Sequence, residues 1–226
     1  MSDTILAISR SLRADIATLD TISHNVANTS TPGFRAERTT AGFQAQLDGG
    51  EAAAVTLDQR DGTVSSTGRS LDLALRGEGF FVVQHGEQTL LARSGSFRLD
   101  REGRLVTASG DLVLGEAGPI QLDSEAVRID EQGQIWSGER AIDKLRLVTA
   151  VNPWQLEPVG SALRYDGALG AFAGSVSQGE VEHSNVDVAQ ESIRLMELTR
   201  HVESVQRAIS IYDKAMDTGI NRLGEN

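Results

Sequence analysis

Near the C-terminus the positions Leu195, Leu198, Val202, Val205, Ile209, Tyr212, Met216, Gly219 and Leu223 recur at alternating steps of three and four residues. An α-helix turns once every 3.6 residues, so a stripe with a 3.5-residue period stays on one face only if the helix winds about a partner. A helix lying on its own globular core would drift toward 3.6. Residues 183–226 are therefore expected to form a helix built to meet another helix. Gly219 interrupts the stripe at a cost of about 1 kcal/mol in helix propensity. Arg194, Glu197, Arg200, Glu203, Arg207 and Lys214 flank it, where charges either set partner choice or keep a face solvated. His201 beside the stripe is an edge contact or a solvated residue, or else part of a pH-sensitive interface.

The opposite end carries a second stripe. Ile5, Ile8, Leu12, Ile16, Leu19, Ile22 and Val26 fall three or four residues apart, which predicts an amphipathic helix over 3–28. Its stop is Asn28-Thr29-Ser30-Thr31-Pro32-Gly33. Proline lacks the backbone donor, holds Thr31 extended, and is followed by a glycine that permits a turn. A lone helix of this length is marginal in water, so both ends need something to pack against.

Between the ends the pattern changes. Residues 35–66 have no sustained period and read as an extended connector with a short strand near Val55–Leu57. From Leu71 onward, short apolar runs predict strands. They are Phe80-Phe81-Val82-Val83, Leu90-Leu91, Phe97-Arg98-Leu99, Leu105-Val106, Leu112-Val113-Leu114, Ile120-Gln121-Leu122, Val127-Arg128-Ile129 and Leu145-Arg146-Leu147-Val148. Two turns share one grammar, Asp100-Arg101-Glu102-Gly103 and Asp130-Glu131-Gln132-Gly133, with Asp first and Gly last in a type I turn. Residues 152–182, rich in Gly and Ala with Pro153 and Pro158, are expected to be irregular. The fold class is α+β, with N- and C-terminal helices forming a coiled-coil domain and a central antiparallel β-rich domain. The divisions are 1–34, 35–66, 67–182 and 183–226.

Charge and composition exclude several functions. The net charge is −11. Residues 1–40 hold four acids and four bases, and residues 191–226 six acids and five bases, so −10 remains for 41–190. Duplex and anionic membrane surfaces both require basic residues, so neither nucleic acid nor lipid is an expected partner. With no cysteine there is no disulfide, thiolate metal site or cysteine nucleophile. His24, His85, His183 and His201 lie in separate segments without ligand spacing, and no metal or cofactor is expected. Gly77-Glu78-Gly79 lacks the third glycine and lysine of a phosphate loop, and no Gly-x-Ser-x-Gly elbow occurs, so no catalytic residue is assigned and the chain is read as a non-enzyme. Met1-Ser2-Asp3-Thr4 lacks the basic region of a cleavable signal, which implies that any export takes another route.

The segment Ser23-His24-Asn25-Val26-Ala27-Asn28-Thr29-Ser30-Thr31-Pro32-Gly33-Phe34 resembles the signature of the flagellar rod and hook axial protein family. Asn25, Asn28, Pro32, Gly33 and Phe34 carry that likeness. It continues through Thr67–Leu75, Gly79–Val83, Gly95–Asp100 and Gly118-Pro119-Ile120, and ends in Ser184-Asn185-Val186-Asp187. The short middle and Val113-Leu114-Gly115 look most like the proximal rod subunits, with the distal rod subunits next. The resemblance implies a structural subunit of the basal body, its terminal helices facing a central export channel and its β domain outside them. It implies partners among proximal and distal rod subunits, copies of itself and the flagellar type III export apparatus, and a rod that spans the periplasm. Phe43 and Leu47 match a family export motif, or else anchor the connector as an apolar pair. The reading of another class is a secreted β-rich binding module with a dimerising tail, for which residues 3–28 would be dispensable.

Overall fold

The computed structural model describes residues 2–40 and 54–224, with side chains over 6–39, 55–212 and Lys214. Phe43 and Leu47 lie outside the described residues, as do the side chains of Ile5, Met216 and Leu223. The chain is α+β, with a helix at each end and strands between. It divides into two compact units: residues 1–26, 38–55 and 187–226 in one, and 27–37 and 56–186 in the other.

The first unit holds helix α1 (Ser2–Ala27) and helix α2 (Val188–Gly224). Asp187 starts α2, its Oδ1 accepting the backbone N–H of Ala189 at 2.9 Å and of Gln190 at 3.1 Å. This satisfies two of the donors that a helix start leaves without intrahelical partners. Strand β1 (Glu37–Thr40) pairs with β2 (Ala54–Leu57), and the division between the units falls within both strands.

The second unit is built on β5 (Phe80–His85). Phe81 and Val83 enter one apolar cluster with Leu71, Leu73, Leu75, Phe97, Ile120 and Ile135, while Phe80 and Val82 enter another with Leu91, Leu114, Val148 and Leu156. Alternate side chains of a strand point to opposite faces, so an unbroken apolar run is what a strand buried on both sides requires. Phe81 meets Phe97 edge to face at 5.0 Å and 87°.

Around β5 the nine-stranded sheet runs β14 (Glu157–Val159), β15 (Ala162–Arg164), β6 (Gln88–Ala92), β5, β9 (Leu112–Val113), β8 (Leu105–Val106) and β7 (Arg98–Leu99). Off that path, β13 (Leu147–Ala150) pairs with β5 and with β16 (Leu169–Ala171). Strands β10 (Arg128–Ile129), β11 (Gln134–Ser137) and β12 (Arg140–Lys144) form a separate antiparallel sheet. Two ribbons complete the unit: β17 (Ser175–Gln178) on β4 (Leu73–Arg76), and β18 (Glu180–Glu182) on β3 (Val64–Ser66).

The two Asp–Gly turns are built alike. Gly103 N–H donates to Asp100 O at 3.2 Å and Gly133 N–H to Asp130 O at 2.9 Å, with the glycines at φ +78° and +80°. In each, the Asp Oδ1 accepts from the N–H groups two and four residues ahead.

Residues 152–182, expected to be irregular, contain strands β14 to β18. These strands are three or four residues long, too short to display an alternation that could be read in advance. The predicted strand Ile120–Leu122 makes one isolated bridge, Arg104–Gln121, with a second, Leu114–Pro119, just before it. The stretch 35–66 carries β1, β2 and β3, where a single short strand was expected.

Candidate functional site

The loop after α1 and the stretch around Ser184-Asn185, far apart in sequence, are brought together within the second unit. Gly33 N–H donates to Glu182 O at 2.8 Å, and Asn185 N–H to Phe34 O at 3.3 Å. Asn185 then uses both ends of its side chain: Oδ1 accepts from Ala36 N–H at 2.7 Å, and Nδ2 donates to Asp58 O at 3.0 Å and Arg60 O at 2.7 Å. One amide thus ties three chain passages, at 36, 58–60 and 185. Neighbouring Ser184 accepts the Val186 N–H at 3.3 Å.

The loop after α1 is shaped to fit this crossing. Thr31 N–H donates to Asn28 O at 3.1 Å and Phe34 N–H to Thr31 O at 3.2 Å, two successive turns with Pro32 between them. Gly33 has φ +67°, and a Cβ there would collide with the backbone of Arg93 and Ser94. Both the left-handed conformation and the close approach demand glycine.

Beneath the crossing sits a buried ionic cluster that the sequence reading did not identify. Arg35 is 4% exposed, Arg93 2% and Glu182 3%, while Asp61 is 49% exposed. Arg93 Nε donates to Glu182 Oε2 at 2.6 Å, and its other nitrogens reach Leu75 O, Gly77 O, Gly79 O and Asp61 Oδ1. Arg35 contacts Glu182 at 3.2 Å and Asp61 at 2.9 Å, and donates to the carbonyls of Gln59 and Arg60. Burial pushes the Arg93 pKa down and the nearby Arg35 charge adds to it, while Glu182 and Asp61 oppose both. Two guanidiniums and two carboxylates balance, as a low-dielectric site requires. The available signal was a single charge closing an apolar run, Arg93 after Leu90-Leu91-Ala92, while Glu182 in Glu180-Val181-Glu182 carries no such mark.

In the helical unit the stripes meet different surroundings. On α2, Leu198, Val202, Val205, Ile209 and Tyr212 are half-buried, whereas Leu195 is exposed. On α1, Ile22 is buried and Ile8 half-buried, but Leu12, Ile16, Leu19 and Val26 remain 46%, 53%, 43% and 47% exposed. Asn25 is buried and Asn28 half-buried. His201 Nδ1 lies 2.9 Å from Asp15 Oδ1 and 3.1 Å from Oδ2. Arg38 and Arg194 both pair with the fully buried Glu191, at 2.9 and 3.2 Å.

Hydrogen bonding, apolar stripes and internal charge pairs suit this arrangement to holding chain passages and presenting helix faces. Among the described residues no three His, Asp or Glu converge as metal ligands. His85 does pair with Asp111 at 2.5 Å, and His183 Nε2 with Ser65 Oγ at 2.7 Å.

Residues 74–137 match the flagellar hook protein FlgE/F/G D1 domain, and residues 177–223 the flagellar basal body rod FlgEFG protein C-terminal family. The chain is 30% identical over 222 residues to the flagellar basal-body rod protein FlgF of Rhizobium meliloti, covering 91% of each chain. It is 29% identical over 247 residues to FlgG of Bacillus subtilis, covering 90% of this chain and 92% of that one. It is also 29% identical over 225 residues to FlgF of Caulobacter vibrioides, covering 92% of each. With two family models matching residues 74–137 and 177–223 and a relative 30% identical over 91% of each chain, this chain belongs to the flagellar basal-body rod protein family, whose members are structural subunits and not enzymes.

Proposed function

We propose that this chain is a proximal rod subunit of the FlgF type, assembling through its terminal helices into the rod around the export channel. The observation that carries the reading is the exposure of Leu12, Ile16, Leu19 and Val26 along one side of α1. Large apolar side chains in a row on a single chain mark a surface that another chain covers. Coiled-coil packing of the α1 and α2 stripes with neighbouring rod subunits, proximal, distal or identical, would bury them. Interfaces of that kind join unlike faces and repeat with helical symmetry. The divisions 1–34, 35–66, 67–182 and 183–226 are proposed as the assembly's working parts, with the first and last forming the inner layer.

Alignment length favours FlgF over FlgG. At similar coverage of this chain, the alignments to the two FlgF relatives span 222 and 225 positions, whereas those to the FlgG relatives of Bacillus subtilis and Buchnera aphidicola span 247 and 244 and so need more inserted positions. Delivery through the flagellar type III export apparatus, with Phe43 and Leu47 as an export motif, is part of the same proposal, as is a place in the basal body across the periplasm.

The test is complementation of a strain lacking its own copy with Leu12→Asp/Ile16→Asp. Both positions are exposed, so the variant should be exported and keep its β body, yet build no rod and restore no swimming. Normal motility from that variant would overturn the reading.

A further inference from the structure

Two faces of α1 compete for α2 within the helical unit. The apolar stripe contains Leu12, Ile16, Leu19 and Val26, all exposed. The side turned to α2 is different: Asp15, Thr18, Thr21 and Ile22 line one cavity of about 440 Å³ together with Leu198 and His201. At about 100° per residue, the two faces are centred roughly a quarter turn apart. Apolar burial alone would rotate α1 to set Leu12, Ile16 and Leu19 against Leu198, Val202 and Val205.

What opposes that rotation is directional and polar. Asp15 is 8% exposed, and its carboxylate takes the His201 ring at 2.9 and 3.1 Å. The other charged groups lining the cavity are Arg38, Glu191, Arg194 and Glu197. Glu191 engages both arginines. Of the residues lining it, Ile22 and Leu198 are apolar and the rest polar or charged, so apolar packing alone does not fix the facing here. A partly buried polar pair in a helix contact is the known means of specifying register when apolar packing leaves it open.

We propose that Asp15 and His201 are the positioning pair of the α1–α2 contact. Their hydrogen bond decides which side of α1 faces α2, and so leaves Leu12, Ile16 and Leu19 exposed to a neighbouring subunit. The last clause rests on the assembly reading above, and the facing itself does not.

The chain contains no cysteine, so introduced pairs report the facing cleanly. Thr18→Cys/Leu198→Cys reports the observed arrangement and Leu19→Cys/Leu198→Cys the rotated one, each treated with a short bifunctional maleimide in the full-length, dilute, unassembled chain. The first pair should link faster than the second. Adding Asp15→Leu/His201→Leu should lower that ratio about tenfold or more, the shift expected on losing a hydrogen bond to a charged group. An unchanged ratio would overturn the proposal. If the double leucine variant loses helicity by circular dichroism, Asp15→Asn against Asp15→Ala decides, since asparagine keeps an acceptor and should keep the ratio while alanine lowers it. Equal ratios in those two would also overturn it. The measurement is made before assembly, so it stands or falls apart from whether the chain builds a rod.

Discussion

Glu182 Oε2 lies 2.6 Å from Arg93 Nε, with both side chains almost wholly out of water. The other oxygen of Glu182 accepts the Gly62 N–H at 2.9 Å and lies 3.2 Å from Arg35, so a single carboxylate joins passages at 35, 62 and 93 to the strand that precedes α2. Removing one member of a buried ion pair leaves the rest uncompensated, at about 3–5 kcal/mol. Glu182→Ala should lose about that much stability in urea unfolding of the full chain, and a loss below about 1 kcal/mol would show that the cluster is not the tie described here.

Gly33 is constrained twice, by φ +67° and by the backbone of Arg93 and Ser94. A non-glycine residue held in the left-handed region costs about 1–3 kcal/mol before any collision is counted. Gly33→Ala should therefore destabilise at least that much, and Gly68→Ala supplies the control, since Gly68 has φ +71° with open space around it. Equal losses at the two positions would show that the approach to Ser94 is unimportant.

The Asp–Gly turns and Asp111 make stability sensitive to acid. Desolvation raises the Asp130 pKa, but hydrogen bonds from the Gln134 and Gln132 N–H groups and from Trp136 outweigh it, so the folded value lies below the ordinary 3.8. At Asp111 desolvation is likewise overcome, by His85, Ser109 and Thr107. Asp100 is held low by Arg104 and by backbone N–H groups against the same opposing effect. In each case the unfolded chain takes up the proton more readily than the folded one. The stabilisation is thus fully present above the unfolded value and is lost as pH falls through the folded pKa. Unfolding free energy should decline as pH drops below about 3.8, and Asp111→Asn should flatten that decline. An unaltered slope in the variant would rule out the assigned partners.

Much of this was readable in the chain because local chemistry decided it. The Thr-Pro-Gly stop, the two Asp–Gly turns and the run Phe80–Val83 each carry their cause within a few residues. The quartet did not, because Arg35 and Asp61 are 26 residues apart and Arg93 and Glu182 are 89 apart, and only the strand order brings them together. The face that α1 turns toward α2 was hidden for a different reason. The apolar periodicity marks Leu12, Ile16 and Leu19, while the position that meets His201 is Asp15, a polar residue beside that stripe.

That difference between the stripes separates two kinds of damage. Leu198 and Val205 are half-buried in the single chain, so Leu198→Asp/Val205→Asp places charge where the helical unit already packs. Leu19 and Val26 are exposed, so Leu19→Asp/Val26→Asp disturbs little until a neighbour arrives. The first variant should lower helicity and thermal stability of the unassembled protein as well as abolish motility. The second should leave circular dichroism and melting temperature close to those of the unmodified chain, yet abolish motility equally. Paired melting curves and swarm diameters for the two variants check this. If Leu19→Asp/Val26→Asp swims normally, the exposed side of α1 is not an assembly surface. If it melts as early as the α2 variant, that side is already engaged within the chain.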